Sequence, residues 1–146
     1  MNPRPRGQSL EQQRERFDNL PLYRQLGLRL DEARPGFSRI SMATSPLTLG
    51  GVGGSVHGGL LAMLVDVAML EAMFPMFEPD DLPAGTADLN ITYIRPALSA
   101  KVVAEATVLR KGKTLAVTEV SIFDAEGSLC AKGRTIYVLR RRSVAP

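Results

Sequence analysis

The spacing of apolar and polar residues predicts two helices in the first half of the chain and mostly strands in the second half. Residues 9–26 have a helical pattern that stops at Gly27, and residues 60–74 (LLAMLVDVAMLEAMF) predict a longer helix. Leucine, methionine and alanine all favour helices. Because this second helix is apolar nearly all round, we expect it to be buried on most of its sides. Pro75 and Pro79 end it.

The rest of the chain has the alternation of strands. An extended run at residues 28–33 and a strand at 37–43 precede the long helix, with a Pro-Gly turn between them. Four strands follow the helix, at residues 86–95, 101–109, 114–123 and 128–139. One long buried helix followed by a four-strand meander predicts an α+β fold, in which the sheet wraps around the helix.

The composition is that of one globular domain, since 45% of the 146 residues are hydrophobic and 23% are charged. The net charge of +3 comes from the ends of the chain, which we treat as basic tails, flexible over residues 1–16 and short over 140–146. The domain between them, residues 17–139, has 11 basic and 13 acidic residues, a net charge of −2. A folded basic groove for nucleic acid is therefore not expected.

Single copies of cysteine and histidine exclude an internal disulfide and a multi-histidine or multi-cysteine metal site. No membrane span is expected, because Asp66, Glu71 and Pro75 interrupt the longest apolar stretch. The N-terminal sequence MNPRPRGQSLEQQRER is polar and lacks the apolar region of a secretory signal. A cytoplasmic location is the resulting expectation.

Asp66 is the clearest candidate for chemistry, because a carboxylate among Leu64, Val65 and Val67 is costly unless it is paired or lies at a cleft. On the residues alone it is either a structural or a catalytic group. Glu71 lies five positions on, about 140° round the helix, so the two do not form a facing acid pair. We interpret Glu71 as structural.

A glycine-rich loop, residues 45–59, runs into the long helix. At its end, His57-Gly58-Gly59 would present free backbone N–H groups at a helix N-terminus, the arrangement of an oxyanion hole; the alternative is a capping histidine. The loop lacks the Gly-Lys-Ser/Thr ending of a phosphate-binding loop. Basic residues near predicted strand ends are either a solvated turn or an anion site: Arg95, Arg110, Lys111 and Lys113.

Four segments, in this order and spacing, resemble the hot-dog-fold acyl-CoA thioesterases of the phenylacetate-pathway branch. They are GSVHGG at residues 54–59 with Asp66 nine positions after the histidine, DLNITYIRPA at 88–97, VLRKGKT at 108–114 and AKGR at 131–134. The resemblance spans roughly residues 20–139. It implies a curved antiparallel sheet around one helix and hydrolysis of an acyl- or aryl-acyl-CoA to free acid and coenzyme A.

The resemblance also implies roles for the matching residues. Asp66 would be the general base on water or the nucleophile, the Gly58 N–H next to His57 would hold the oxyanion, and Thr86 would orient the carboxylate or water. These four are the catalytic candidates. Coenzyme A would lie along the 93–96 strand end and the 110–113 hairpin, and the substrate-binding candidates are Gly51, Gly59, Asn90, Tyr93, Arg95, Pro96, Arg110, Lys111, Gly112 and Lys113.

In such proteins two subunits pair edge to edge and share each site, which implies a homodimer or a dimer of dimers and no metal or redox cofactor. One departure is Gly51, where many relatives have an asparagine, so that Thr48 or Ser55 would have to substitute. A non-catalytic acyl-CoA-binding module is therefore the alternative function. A hot-dog dehydratase would need its histidine and carboxylate in a different motif.

Overall fold

The computed structural model describes residues 8–143. Its elements occur in the order α1 (Leu10–Asp18), α2 (Pro21–Leu26), β1 (Leu28–Arg34), β2 (Phe37–Ala43), α3 (Gly58–Met73), β3 (Asp81–Tyr93), β4 (Lys101–Lys111), β5 (Leu115–Asp124) and β6 (Leu129–Arg141). One six-stranded antiparallel sheet, in the order β1-β2-β4-β5-β6-β3, packs against α3. The α+β prediction of a sheet around one helix is confirmed.

The four strands after α3 are present, but the predicted meander is wrong in one respect. Strands β4, β5 and β6 form consecutive hairpins, whereas β3 pairs with β6 at the far edge and β4 pairs with β2. The sheet edges are therefore β1 and β3, and the last strand is interior. Alternation along a strand predicts which side chains are buried, but it contains no information about the neighbouring strand.

Helix α3 is the centre of the core. Leu64, Val65, Ala68 and Met69 are fully buried along it. The helix approaches the sheet closely at Gly133 of β6, where an added Cβ would lie 2.6 Å from both methyl carbons of Val65. With its following turn the helix, Gly58–Met76, is long and apolar enough to cross a membrane by length and composition, yet half of this stretch is buried inside the fold.

The predicted N-terminal helix is two helices, because Pro21 begins α2 after a break at residues 19–20. Helix α1 starts within the segment assigned to the flexible tail: Ser9 caps it, Phe17 is fully buried, and Arg16 pairs with the buried Glu71 at 2.9 Å. Glu71 is thus structural, as predicted. Residues 1–7 and 144–146 of the predicted tails lie outside the described residues.

Candidate active site

The start of α3 leaves one backbone donor free. The His57 imidazole caps the helix, its Nδ1 accepting a hydrogen bond from the Gly59 N–H at 2.9 Å. The His57 carbonyl accepts from the N–H groups of Leu60 and Leu61. The Gly58 N–H has no acceptor anywhere in residues 8–143. Of the two glycine amides, Gly58 is therefore the one available to an oxyanion, at the positive end of the helix dipole.

Tyr93, at the end of β3, touches the same turn. Its hydroxyl donates to the Gly58 carbonyl oxygen at 2.7 Å, while 53% of the residue stays exposed. A Cβ on Gly58 would lie 3.2 Å from the Tyr93 hydroxyl oxygen, so glycine permits this close approach. Nothing in the sequence pattern predicts this contact, because it joins residues 35 positions apart.

An open groove of about 400 Å³ lies beside this turn. It is bounded by the glycine-rich loop, the first turn of α3 and the segment after β3. Its lining brings together seven of the predicted residues, Gly51, His57, Gly58, Gly59, Tyr93, Arg95 and Pro96, with the apolar side chains of Val52, Val56, Leu61, Ile94 and Ala97. The groove can hold an extended, largely apolar group with its polar end at the Gly58 N–H.

Asp66 lies two turns further along α3, half-buried, and Thr86 contacts it directly. The Thr86 hydroxyl donates to Asp66 Oδ1 at 2.7 Å. A register shift in β3 between Thr86 and Asp88 accompanies this contact. An extra residue at such a bulge redirects neighbouring side chains. The pair is the one implied by the family resemblance, and an oriented carboxylate of this kind can accept a proton from water or attack a carbonyl carbon.

The Gly58 N–H and the Asp66 carboxylate are too far apart to act on one substrate within a single chain. Gly58 and Asp66 are eight residues apart, about 12 Å along the helix at roughly 1.5 Å per residue. A nucleophile and an oxyanion donor must both lie within about 3 Å of the reacting group. Within one chain, the Gly58 N–H and the Asp66 carboxylate therefore do not meet at the same reacting group.

The hairpin between β4 and β5 is not next to the groove of its own chain. In the register of the sheet, Tyr93 of β3 aligns across β6 and β5 with Ala104 of β4. Thr86 of β3 aligns in the same way with Lys111 of β4. Seven residues of strand, about 23 Å at roughly 3.3 Å each, separate these two positions. Arg95 and the hairpin therefore lie at opposite ends of the chain's fold, and the hairpin lies at the Asp66–Thr86 end.

Lys111 has a structural role in this fold, and its contact with coenzyme A stays a prediction. Its side chain is 9% exposed, and its ammonium pairs with the fully buried carboxylate of Asp81 at 2.5 Å. Burial by itself raises the pKa of Asp81, but hydrogen bonds from Lys111 and from the Glu78 N–H hold that pKa below its ordinary value. Arg110 and Lys113 are exposed and have no ion-pair partner among the described residues.

The remaining candidates have simpler surroundings. Asn90 is exposed on edge strand β3, and its side chain has no hydrogen bond within residues 8–143. Gly112 forms the hairpin turn, donating to the Leu115 carbonyl at 2.7 Å. Cys130 is fully buried, which raises the pKa of its thiol, so the predicted packing role is confirmed.

Gly51 cannot be replaced by asparagine without moving the loop. A Cβ there would lie 2.2 Å from Ser55 Oγ and 2.7 Å from the Val56 carbonyl oxygen. Thr48 does not supply the missing polar group, because its buried hydroxyl is bonded within the turn to Ser45. Ser55 lines the groove and is the remaining candidate for that place.

Comparison with known families gives a match over the central part of the chain. The sequence profile of the thioesterase superfamily matches residues 53–131, from the glycine-rich loop through α3 to the start of β6. This interval contains the Gly58 donor, the Asp66–Thr86 pair and the groove lining after residue 52.

Individual relatives agree with that match. The chain is 43% identical to human acyl-coenzyme A thioesterase 13 over 83 residues, 56% of this chain and 58% of that protein. It is 26% identical to the medium/long-chain acyl-CoA thioesterase YigI of Escherichia coli K12 over 134 residues, 83% of this chain and 86% of that protein. The crystal structure of zebra fish thioesterase superfamily member 2 superposes with a TM-score of 0.74 at 26% identity, covering 91% of this chain and 99% of that one.

Proposed function

Since the chain belongs to the thioesterase superfamily, and is thus a thioester hydrolase, we propose that it hydrolyses acyl-coenzyme A thioesters to a free acid and coenzyme A. The observation that carries the proposal is that α3 has both a free backbone donor, the Gly58 N–H, and a carboxylate, Asp66, which accepts a hydrogen bond from Thr86 of β3. Similarity to acyl-CoA thioesterases over half or more of the chain supports coenzyme A as the carrier of the acyl group.

The proposed reaction uses these groups in turn. Asp66 takes a proton from water as the water oxygen adds to the thioester carbonyl, or adds to that carbon itself to give an anhydride that water then hydrolyses. The Gly58 N–H stabilises the negative oxygen that develops. The C–S bond breaks and the coenzyme A thiolate takes up a proton. None of these steps requires a metal ion or a redox cofactor.

A second copy of the chain would complete each site. Antiparallel pairing of two β3 edges, centred near Leu89 and Asn90, would put the Tyr93 end of one copy beside the Thr86 end of the other. That arrangement would bring the Gly58 donor of one chain towards the Asp66 carboxylate of its partner. We therefore propose a homodimer, alone or as half of a tetramer.

The other sheet edge supports this choice of β3. Helix α1 packs along β1, and the Arg14 guanidinium donates to the carbonyl oxygens of Leu30, at 2.8 Å, and Asp31. Edge strand β1 therefore has part of its backbone covered within its own chain, whereas β3 is mostly exposed. An uncovered edge presents unpaired N–H and carbonyl groups to a further strand.

The substrate would enter from the groove. Its apolar lining suits the pantetheine or acyl part, with Arg95 placed for a phosphate group. Arg110 and Lys113 of the other subunit would lie near the opposite side of the shared site. A cytoplasmic location, expected from the sequence, remains part of the proposal.

The substitution Asp66→Asn tests the mechanism, because asparagine keeps the shape of the side chain but cannot accept the proton. We expect kcat on acetyl-, medium-chain, long-chain and aromatic CoA thioesters, followed by thiol release, to fall by about 10²–10⁴, with the melting temperature nearly unchanged. The matched control is Asp80→Asn, an exposed aspartate whose side chain has no hydrogen bond within the described residues; it should leave kcat unchanged.

Two results would contradict this proposal. Wild-type kcat in the Asp66→Asn variant would remove Asp66 from the chemistry. Tight binding of acyl-CoA by a wild-type protein that hydrolyses none of the thioesters would favour a non-catalytic binding module, the alternative that Gly51 raises.

A further inference from the structure

The peptide group that joins Gly58 to Gly59 is held on both sides. Its carbonyl oxygen accepts from the Tyr93 hydroxyl at 2.7 Å, and its N–H donates to His57 Nδ1 at 2.9 Å. The preceding peptide is held by its carbonyl, which accepts from the N–H groups of Leu60 and Leu61. Three of the four polar groups of these two peptides are therefore bonded inside the chain, and the fourth is the Gly58 N–H.

This arrangement matters because two successive glycines begin the helix. Glycine loses more conformational freedom on ordering than any other residue, so a Gly-Gly start has the weakest intrinsic preference for one orientation. Hydrogen-bond donors contribute most to catalysis when their direction is set before the charge develops. Fixing the peptides on either side of the Gly58 Cα restricts both of its backbone torsions, and with them the direction of the Gly58 N–H.

The two clamping side chains also account for both glycines. A Cβ at position 58 would lie 3.2 Å from the Tyr93 hydroxyl oxygen, and one at position 59 would lie 3.0 Å from His57 Nδ1. Both distances are shorter than ordinary contacts. A side chain at either position would push away one of the two groups that hold the peptide.

We propose that Tyr93 is a positioning residue, whose hydroxyl acts with the His57 imidazole to lock the Gly58–Gly59 peptide and aim the Gly58 N–H at the substrate carbonyl. The catalytic part of this inference rests on the proposed thioesterase function. It gives Tyr93 a role distinct from contact with coenzyme A, and gives His57 a role that involves no proton transfer.

The substitution Tyr93→Phe tests the proposal, since it removes the hydroxyl and keeps the ring in the groove. We expect kcat to fall about three- to tenfold, the rate equivalent of losing one neutral hydrogen bond, with KM for the acyl-CoA unchanged. The matched control is Thr107→Val, which removes a hydroxyl from an exposed position of β4, away from the β3 edge. It should leave both constants unchanged.

A second measurement does not depend on activity. Backbone ¹⁵N order parameters of Gly58 and Gly59 should fall from the rigid value of about 0.85 in Tyr93→Phe and stay unchanged in Thr107→Val. If the wild-type protein hydrolyses no thioester, the proposed function fails. The order parameters still decide whether the Tyr93 hydroxyl restrains the Gly58–Gly59 peptide.

Three outcomes would overturn the positioning role. The first is a raised KM with unchanged kcat, which would make Tyr93 a substrate contact. The second is a lower melting temperature with unchanged kcat per folded molecule, which would make it a structural residue only. The third is a set of order parameters identical to those of the wild type.

Discussion

Because Lys111 forms a buried ion pair with Asp81, we expect its replacement to lower the stability of the protein. The sequence alone suggested that its replacement would weaken substrate binding. Lys111→Met keeps the length and apolar stem of the side chain and removes the ammonium. The Asp81 carboxylate, 0% exposed, would then keep only the Glu78 N–H at 2.8 Å and the Arg141 guanidinium at 3.9 Å. Breaking a buried ion pair from one side leaves a charge in a poorly solvated place.

The structure sets the size of this effect. Removal of one partner of a buried pair costs about 3–5 kcal/mol. The remaining contacts of Asp81 put the expected loss in the free energy of unfolding at the lower end, about 3 kcal/mol. For a chain of this size, that corresponds to a fall in melting temperature of roughly 6–12 °C. The exposed Lys113→Met is the matched control, with an expected change within about 0.5 kcal/mol.

The assay is thermal and urea unfolding at fixed protein concentration, repeated from neutral to acid pH. The folded-state pKa of Asp81 is lowered, so its contribution to stability is complete above the unfolded pKa of about 3.9 and is lost as pH falls through the folded pKa. Wild-type stability should therefore decline below about pH 4, and the decline should be smaller in Lys111→Met. A variant with wild-type stability and a raised KM would refute the reasoning and return Lys111 to the substrate site.

Two further predictions concern substrate binding and assembly. Joint replacement of Arg110 and Lys113 by alanine should raise KM for acyl-CoA far more than it lowers kcat, because these charges would contact a part of the substrate remote from the reacting carbon. The rise in KM should shrink with added salt. An unchanged KM would show that the hairpin is a solvated turn. Light scattering at micromolar concentration should show a dimer or tetramer, and a stable, active monomer would contradict a site shared between subunits.

Much of the molecule could be predicted from the sequence, because its signals are local. The β2 bounds, residues 37–43, agree with the alternation of polar and apolar side chains, and α3 follows from a run of strong helix formers. Asp66 is recognisable as a candidate because a carboxylate in an apolar helix costs free energy unless it is paired or solvated. Helix geometry also predicts the structural role of Glu71, and the lack of a basic partner predicts the packing role of Cys130; the structure confirms both.

The features that the sequence did not predict depend on contacts between residues that are distant in the chain. The place of β3 beside β6 follows from packing around α3, which no alternation pattern encodes. A register shift between Val108 and Arg110 puts Lys111 opposite the buried Ala116, so its side chain points into the fold. Strict alternation from Val108, without this shift, would have pointed the Lys111 side chain outwards. The hydrogen bond from Tyr93 to Gly58 exists because the end of one strand meets the start of the helix. Local periodicity determines which face of an element is apolar, whereas strand pairing, bulges and packing determine what that face meets.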